Sequence, residues 1–600
     1  MKKWLSLIAC TILVVSITGC DGDNGISGVA GVNGEDAGLS VSFKPIATPS
    51  TDEEKNALNV SDTVTVNGQN QSISATKLLS TGDNDNGEIY GLSKDMNDAA
   101  LQMDDGNPYI CNGTSNPNGS GSGLDFVSIL QKNDKLYMVS QFECQIGSMY
   151  INELTQNTNT GELSVKANTL KFISQKSEFG GYVHCAGMKT PWESHLGSEE
   201  YEPNARDLNV TSGEIDQYYG FIDKYWGGDL TKANPYYYGW TPEVTIDANG
   251  NSVYTKHYSM GRMSHELSYV MPDNKTVYMS DDGDNVGLFM YVADEAMDLS
   301  SGTLYAAKWH QKSSLNGGSA YISWIELAHA TDAEIRAYLD PDDDVTTNDS
   351  LNFTDIFDVE EPNASNECPT IGFLPANTSF GLECLRVKAG MDKAAAYLET
   401  RRYAGMMGAT TEFRKEEGIT FDAANNKLYV GMSQIAKGME DNKKYGVDND
   451  SYDKGSNNDI KLPFNDCGAV YELEVNNAYQ AISMQAVITG TPIDEDANGN
   501  KCDLNGISNP DNVTFLPDSN ILMIGEDTGN HENNIVWAYD LKKKELQRVI
   551  ATPLGAETTS PFWYKDINGF GYMMVVTQHP DTTSDDAGQS SASVLGPIKF

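Results

Sequence analysis

Acidic residues recur at the first position of a short repeated sequence motif. In each copy an Asn- or Asp-containing turn signal follows the acid, and a Tyr or Met stands twelve positions after it. A strand, a turn and a second strand form a β-hairpin, whose first and last residues lie at the same end. The acids should therefore gather at one end of the molecule. Four copies begin at Asp125, Glu266, Glu417 and Asp511, and a stretched fifth copy begins at Glu557.

Gathered carboxylates either raise each other's pKa or recruit cations. Hard oxygen ligands suit Ca²⁺ or another hard cation. A single acid at a strand end would be interpreted as a side chain that points to water. Four acids in the same register instead favour a cation site.

A cysteine supplies a second candidate ligand. Seven of the nine cysteines lie beyond Cys20, and six of these form sequential pairs, 111 with 144, 368 with 384 and 467 with 502. In an oxidising compartment such pairs are plausible disulfides. Cys185 is left over, and an odd thiol is either buried and inert or functional, with inert burial favoured without further context. Glu199 and Glu200 follow it closely, and a thiolate among carboxylates suggests a softer or redox-active metal beside the hard one.

The elements that would position these residues are strands. Glycine is plentiful (55 of 600 residues) and Tyr (30) outnumbers Phe (18), which favours turns and strands. Repeated hairpin units close radially into a β-propeller. A capping box at Thr331–Glu334 predicts one helix in an insertion, and residues 382–404 read as a longer one. The net charge of −44 argues against binding nucleic acid through its phosphates.

The N-terminus indicates export. Lys2 and Lys3 precede a short apolar run that ends in Ile17-Thr18-Gly19-Cys20, which is typical of a lipoprotein signal peptide over residues 1–19. Cys20 would be the lipidated residue and the membrane anchor. Glycines at every third position indicate a flexible tether over residues 20–40. The remaining residues, 41–600, form the predicted propeller domain.

Several short motifs, in order along residues 80–600, resemble the PhoX-type alkaline phosphatase family. Cys185-Ala186-Gly187 with Thr190-Pro191-Trp192 and the paired acids at 199 and 200 form the first of them. The others are Gly261-Arg262-Met263-Ser264-His265-Glu266, Gly408-Ala409-Thr410, Asn509-Pro510-Asp511-Asn512, Gly555-Ala556-Glu557 and Gln578-His579-Pro580.

The resemblance implies a six-bladed β-propeller, here with helical and loop insertions, that hydrolyses phosphomonoesters at an iron–calcium cluster. Its cofactors would be Ca²⁺ and Fe³⁺, with Cys185 as a thiolate that bridges the irons. Its substrates would be small phosphoesters, and we expect a monomer in the bacterial cell envelope, lipid-anchored on the periplasmic or outer-surface side. The candidate ligands are Cys185, Glu199 or Glu200, Glu266, Glu417, Asp511 and Glu557.

The sequence departs from the family at three places. Lys2-Lys3 with a lipobox replaces the usual twin-arginine signal, and Gln141-Phe142-Glu143 stands where the family has Asn-His-Glu. The family's Arg-x-Glu is ambiguous here, because one register gives Arg414 with Glu416 and the other gives Lys415 with Glu417. The hairpin spacing favours Glu417 as the acid, and the cation that meets phosphate stays open. The alternative function is a catalytically silent surface lipoprotein propeller that binds a partner or a glycan.

Overall fold

Antiparallel strands make up most of the protein. The computed structural model describes residues 39–112, 121–207, 222–456 and 458–600. The predicted signal peptide, Cys20 and almost all of the predicted tether therefore lie outside the described residues. All strand pairs in the described part are antiparallel, which confirms the all-β prediction. Among the described residues, no helix combines the length and apolar character needed to span a bilayer.

Five large sheets, which we name A to E in chain order, dominate the described ranges. Sheet A contains Gly121–Lys132, Lys135–Cys144, Ser148–Gln156, Leu163–Val165 and Lys171–Phe172. Sheet B contains Met188–Lys189, His195–Leu196, Thr241–Ile246 and Ser252–His257. Sheet C has nine strands in the order His265–Val270, Thr276–Asp281, Phe289–Glu295, Asp298–Ser313, Ser319–Thr331, Ala481–Thr489, Ala469–Val475, Lys427–Met432 and Glu416–Asp422.

Strands from the two ends of the described chain complete the last two sheets. Sheet D runs in the order Asn59–Val60, Glu545–Ala551, Ile535–Asp540, Ile521–Glu526 and Pro510–Phe515. In sheet E the strand order is Glu557–Thr559, Phe570–Gln578, Ser591–Ile598 and Ser74–Ser80, with Trp563–Ile567 also paired to Phe570–Gln578.

The remaining strands form smaller sheets of two or three strands. Three-stranded sheets join Val41–Phe43, Thr63–Val66 and Gln69–Ser72, and also Phe357–Glu360, Gly381–Val387 and Leu374–Thr378. Two-stranded pairs join Asn84–Asp85 with Glu88–Ile89, Asp284–Val286 with Phe413–Arg414, and Lys443–Lys444 with Val447–Asp448.

Short helices lie in the loops and insertions. Helix Asp332–Leu339 begins with the predicted capping box, in which Thr331 Oγ1 accepts from Glu334 N at 3.1 Å and the Glu334 carboxylate accepts from Thr331 N at 2.9 Å. The other α-helices of the described residues are Asp52–Asn56, Ile222–Tyr225, Phe353–Ile356, Asp392–Leu398 and Thr400–Met406.

The prediction of one helix over residues 382–404 is wrong in its first part. Gly381–Val387 is a strand, and two short helices follow it. Glu383, Cys384 and Leu385 are buried in succession there, and the segment is the central strand of its three-stranded sheet. Pairing with Leu374–Thr378 and the Cys368–Cys384 disulfide hold this segment extended.

The three predicted disulfides are confirmed. Cys111 is bonded to Cys144, Cys368 to Cys384 and Cys467 to Cys502. Cys185 is the free and buried cysteine of the described residues.

Candidate metal centre

The repeated acids converge on one cavity of about 100 Å³, large enough for several water-sized groups. Nine carboxylates, one thiol and one ammonium group line it, so its wall is almost entirely ionisable. The lining residues are Ser122, Asp125, Glu143, Cys185, Glu200, Tyr201, Glu266, Asp282, Lys415, Glu417, Asp511, Asp527, Glu557, Thr559 and Gln578.

A shared irregularity of the hairpins positions four of these acids. In each hairpin one extra residue on the first strand interrupts the pairing, and the acid is the first residue of the interruption. The breaks lie between Leu124 and Val127, His265 and Ser268, Glu416 and Ile419, and Pro510 and Val513. Such a β-bulge turns a side chain away from the regular alternation of the strand. The bulge therefore allows Asp125, Glu266, Glu417 and Asp511 to reach the cavity.

Cys185 and Glu266 link three potential ligand groups. In each group one ligand atom of every member lies within 4.8 Å of the others. Cys185 Sγ is 3.1 Å from Glu266 Oε2 and 3.9 Å from Asp125 Oδ2. The groups are Asp125 with Glu143 and Cys185, Cys185 with Glu200 and Glu266, and Glu266 with Glu417 and Asp511.

Burial and mutual repulsion make this acid set unfavourable on its own. Burial, followed by the neighbouring carboxylates, raises the pKa of Asp125 and Glu266 well above the usual range. Burial is also the main reason that the pKa of Glu557 rises to about 8. The pKa of the Cys185 thiol is raised by burial and then by Asp125 and Glu266. Bound cations would reverse this penalty, because they favour the ionised form of every ligand.

The donor set fits hard and borderline metal ions. Carboxylate oxygens are preferred by Ca²⁺, and a thiolate among them suits a softer transition metal. Asp125 Oδ1 is buried and has no hydrogen-bond partner within the described part of the chain, as an oxygen that binds a cation would.

Lys415, and not Arg414, faces the cavity. Lys415 Nζ lies 3.1 Å from Glu417 Oε1 and about 4 Å from carboxylate oxygens of Asp282 and Asp527. Burial opposes the charge of Lys415, but these acids outweigh it and raise its pKa well above the usual value. Arg414 instead pairs with Asp284 and donates to Gln434 Oε1 at 2.9 Å. Of the two registers that the sequence allowed, the one that combines Lys415 with Glu417 therefore places its basic residue at the site.

Glu199 does not line the cavity, although its neighbour Glu200 does. The Glu199 carboxylate forms a fully buried ion pair with Lys256 at 2.7 Å. It also accepts hydrogen bonds from the backbone amides of Gly239 and Trp240 at 3.0 and 3.1 Å. Consecutive residues of an extended segment point in opposite directions, so Glu199 and Glu200 have separate environments.

The sequence matches one known protein family over most of its length. Residues 97–581 match the family described as alkaline phosphatase PhoX. The chain belongs to the PhoX alkaline phosphatase family. It is accordingly a metal-dependent phosphatase, and the PhoX resemblance predicted from its motifs is confirmed. No curated protein matches the chain in a sequence search.

Solved structures include a PhoX protein with the same fold. PhoX of Pseudomonas fluorescens, in complex with vanadate, a transition state analogue, is similar with a TM-score of 0.57 and 16% identity, over 93% of this chain and 98% of that one. Gluconolactonases of Xanthomonas campestris and Pseudomonas aeruginosa cover 80% and 72% of this chain and 87% and 86% of their own. Their identities of 8% and 10% and TM-scores of 0.28 and 0.25 carry no argument about function.

Sequence reasoning missed some lining residues of this PhoX chain. Asp282 and Asp527 stand sixteen positions after Glu266 and Asp511, so the repeat itself carried the signal for them. Asp125 began the first repeat copy but has no counterpart among the family motifs used for the ligand assignments. Glu143 lay within the segment that departs from the family. Phe142, the departing residue, packs against Tyr90 in the core and does not reach the cavity.

Two histidines near the acids make different contacts. His265 is buried, and its Nε2 interacts with the Gly261 carbonyl oxygen at 2.9 Å, as expected of a strand-end hydrogen-bonding group. Burial lowers its pKa to about 4. His579 instead pairs with Glu557, one of the cavity carboxylates.

Proposed function

We propose that this PhoX phosphatase releases phosphate from small organic phosphomonoesters with Fe³⁺ and Ca²⁺ bound in the acid-lined cavity. The observation that carries the proposal is the convergence of nine carboxylates and the Cys185 thiol on one cavity with Lys415. A silent binding protein would have no use for so costly a buried array, so this alternative is not favoured.

The overlap of the ligand groups suggests how the two metals are divided. Cys185 belongs to two groups, with Asp125 and Glu143 and with Glu200 and Glu266. These groups would hold iron, because a thiolate is the softest ligand present. The group of Glu266, Glu417 and Asp511 has only carboxylates and would hold calcium. Bound metals would supply positive charge for phosphate oxygens and Lewis-acid activation of the attacking oxygen.

Lys415 supplies the positive charge of the chain itself. A phosphomonoester dianion is repelled by a protein with a net charge of −44, so its entry requires a local reversal of sign. Lys415 is held by Glu417, Asp282 and Asp527 on the cavity wall, where its ammonium group would donate to a non-bridging phosphate oxygen. Tyr201 donates its hydroxyl hydrogen to Asp282 at 2.9 Å and thereby orients one acid that holds Lys415.

The five sheets support the proposed six-bladed propeller. Sheet C consists of two hairpin-based units joined only where Ser319–Thr331 pairs with Ala481–Thr489, so it divides into two blades. Buried clusters join neighbouring sheets in a closed cycle: A with B, B with C, C with D, D with E, and E with A. Residues just after the acids, including Phe126, Leu267, Ile419 and Val513, share a second small cavity, as residues around a central axis would.

We further propose that the enzyme is a monomer held at the bacterial cell envelope by lipid on Cys20. The signal sequence and lipobox support export, and the three disulfides suit an oxidising compartment. Phosphate release at this place would serve scavenging of phosphate from organic esters.

The proposal is tested by metal analysis together with hydrolysis of p-nitrophenyl phosphate. Glu266→Gln removes a carboxylate shared by two ligand groups, so bound metal and turnover should both fall. Glu361→Gln is the matched control, because the Glu361 side chain is 85% exposed and is not among the residues that line the cavity. Full metal content and full activity in Glu266→Gln would refute the assignment of the cavity. Lys415→Met should keep its metal but lose activity, whereas the same change at the exposed Lys443 should leave both unchanged.

A further inference from the structure

Basic and aromatic side chains collect beside the acidic cavity. We call Arg414, Lys437, Lys444, Tyr445 and Tyr452 the rim cluster. The charged groups of Arg414, Lys437 and Lys444 lie 5.4–6.0 Å from the ring centre of Tyr445. Lys437 and Lys444 lie 5.7 and 5.9 Å from the ring of Tyr452. Three cations therefore surround two phenol rings.

The rim cluster adjoins residues that line the catalytic cavity, although none of its own members is among the lining residues. Arg414 directly precedes Lys415, and both Arg414 and Lys437 pair with Asp284, two residues after Asp282. Lys415 and Asp282 line the cavity. The segment 433–468 also follows strand Lys427–Met432, whose last residue pairs with Glu416 beside Glu417. The rim cluster therefore lies at the end of the hairpin that carries the acid.

Tyr445 presents an aromatic surface to solvent. It occupies the turn between Lys443–Lys444 and Val447–Asp448, with φ of +53°, and is 40% exposed. Phe464 is 37% exposed and meets the Tyr445 ring at a centroid distance of 5.8 Å and an interplanar angle of 74°. Two large exposed aromatic rings in contact next to an active site are unusual unless they bind something.

One cation of the rim cluster remains available for an anion. Arg414 and Lys437 are engaged by Asp284, whereas Lys444 has no carboxylate within 4.0 Å among the described residues. Lys444 is half-buried against the tyrosine rings, so its charge is held in place rather than free to swing in solvent. A substrate that is both aromatic and anionic would match this combination of groups.

We propose that the rim cluster is a leaving-group subsite that binds the planar aromatic part of a phosphomonoester, an aryl ring or a nucleobase. This inference rests on the proposed phosphatase function of the cavity. The phosphoryl group would lie near Lys415 while the ring stacks on Tyr445 against Phe464. Stacking on a protein aromatic ring tolerates different ring systems, because every planar ring offers a π-face. The subsite would thus favour aromatic over aliphatic esters without changing the reaction.

The test compares substrates on the metal-loaded enzyme. We would measure kcat/KM for phenyl phosphate, adenosine 5′-monophosphate and glycerol 2-phosphate in the wild type, Tyr445→Ala and Tyr445→Phe. The loss of one stacking partner should lower kcat/KM for an aromatic ester about tenfold in Tyr445→Ala. Glycerol 2-phosphate should change by less than about twofold, and Tyr445→Phe should retain the preference. A fall for only one aromatic ester would support the subsite and identify the ring that it binds.

Tyr321→Ala is the matched control. Tyr321 is 58% exposed and has Lys312 4.4 Å from its ring centre, but it lies on strand Ser319–Thr331, which contributes no residue to the cavity lining. Equal losses for all three esters in Tyr445→Ala, or no loss for either aromatic ester, would overturn the subsite. If the metal-loaded wild type hydrolysed none of the esters, the phosphatase proposal itself would fail. Calorimetric binding of adenosine 5′-monophosphate and ribose 5-phosphate to the wild type and to Tyr445→Ala would then test the subsite separately.

Discussion

The adjacent acids Glu199 and Glu200 should respond to the same substitution in opposite ways. Glu199 and Lys256 have fully buried side chains and are 2.7 Å apart. In Glu199→Gln the amide oxygen still accepts from Gly239 and Trp240, but the Lys256 ammonium group loses its counter-charge in the core. Removal of one partner of a buried pair costs about 3–5 kcal/mol. Lys256 still donates to the Tyr237 carbonyl oxygen at 2.9 Å, so we expect the free energy of unfolding to fall by about 3 kcal/mol, the lower end of this range.

Among the residues that the structure describes, Glu200 has no comparable basic partner and lies among like charges. Burial, then Asp282 and Glu266, raises its pKa well above the usual range. In Glu200→Gln the metal-free protein should therefore be as stable as the wild type or more stable, while bound metal and turnover should fall. Urea unfolding of metal-stripped protein measures the first effect, and elemental analysis with a phosphatase assay measures the second.

The two variants form a crossed control, since the same acid-to-amide change is made at neighbouring positions. Glu199→Gln should retain its metal per folded molecule despite its lower free energy of unfolding. The assignment would be refuted if Glu199→Gln lost metal with unchanged stability, or if Glu200→Gln kept its full complement of metal. The first result would make Glu199 a ligand, and the second would remove Glu200 from the ligand set.

Three further predictions concern the thiol, the calcium and a distant ion pair. Cys185→Ser should lose bound iron and activity while its circular dichroism spectrum stays native; an iron-replete, active variant would contradict the role of Cys185. Removal of Ca²⁺ with EGTA should lower Tm, and added Ca²⁺ should restore it, because bound metal stabilises only the folded state; an unchanged Tm after verified metal loss would count against a calcium site. Although burial opposes its charge, Asp332 and Glu243 raise the pKa of His257 from 6.5 to about 10. The contribution of protonated His257 to stability is therefore complete below pH 6.5 and is lost as pH rises to about 10, on the order of 5 kcal/mol; pH-dependent urea unfolding should show this decline in the wild type and not in His257→Gln.

The sequence repeat predicted the convergence of acids but not the way in which they reach the cavity. Spacing identified Glu266, Glu417 and Asp511 because a hairpin returns its two ends to one place. The spacing did not indicate the β-bulge, the one extra residue that the first strand of each hairpin contains next to the acid. A bulge depends on the register of the partner strand, which a single segment of sequence does not specify.

The helix predicted over 382–404 was wrong in its first part, and the choice between Glu199 and Glu200 stayed open, for a similar reason. Both depend on residues far away in the chain. Partner strands and a disulfide hold Gly381–Val387 extended, and Lys256 fixes the direction of Glu199. Local pattern alone could not include either effect, whereas the capping box of Asp332–Leu339 was predicted correctly because its contacts are local.

The pairing of Ser74–Ser80 with Ser591–Ile598 joins the two ends of the described chain in one sheet, and this has a consequence for assembly. Ser80 lies opposite Ser591, so a strand made early in synthesis must wait for a partner about 500 residues later. Pairing over such a distance is slow, because the intervening chain must be organised first. The same sheet carries Glu557 on its first strand, while Asp125 comes from sheet A. We therefore expect the full ligand set to form only once the two ends of the chain have come together, so metal loading should be a late event of maturation.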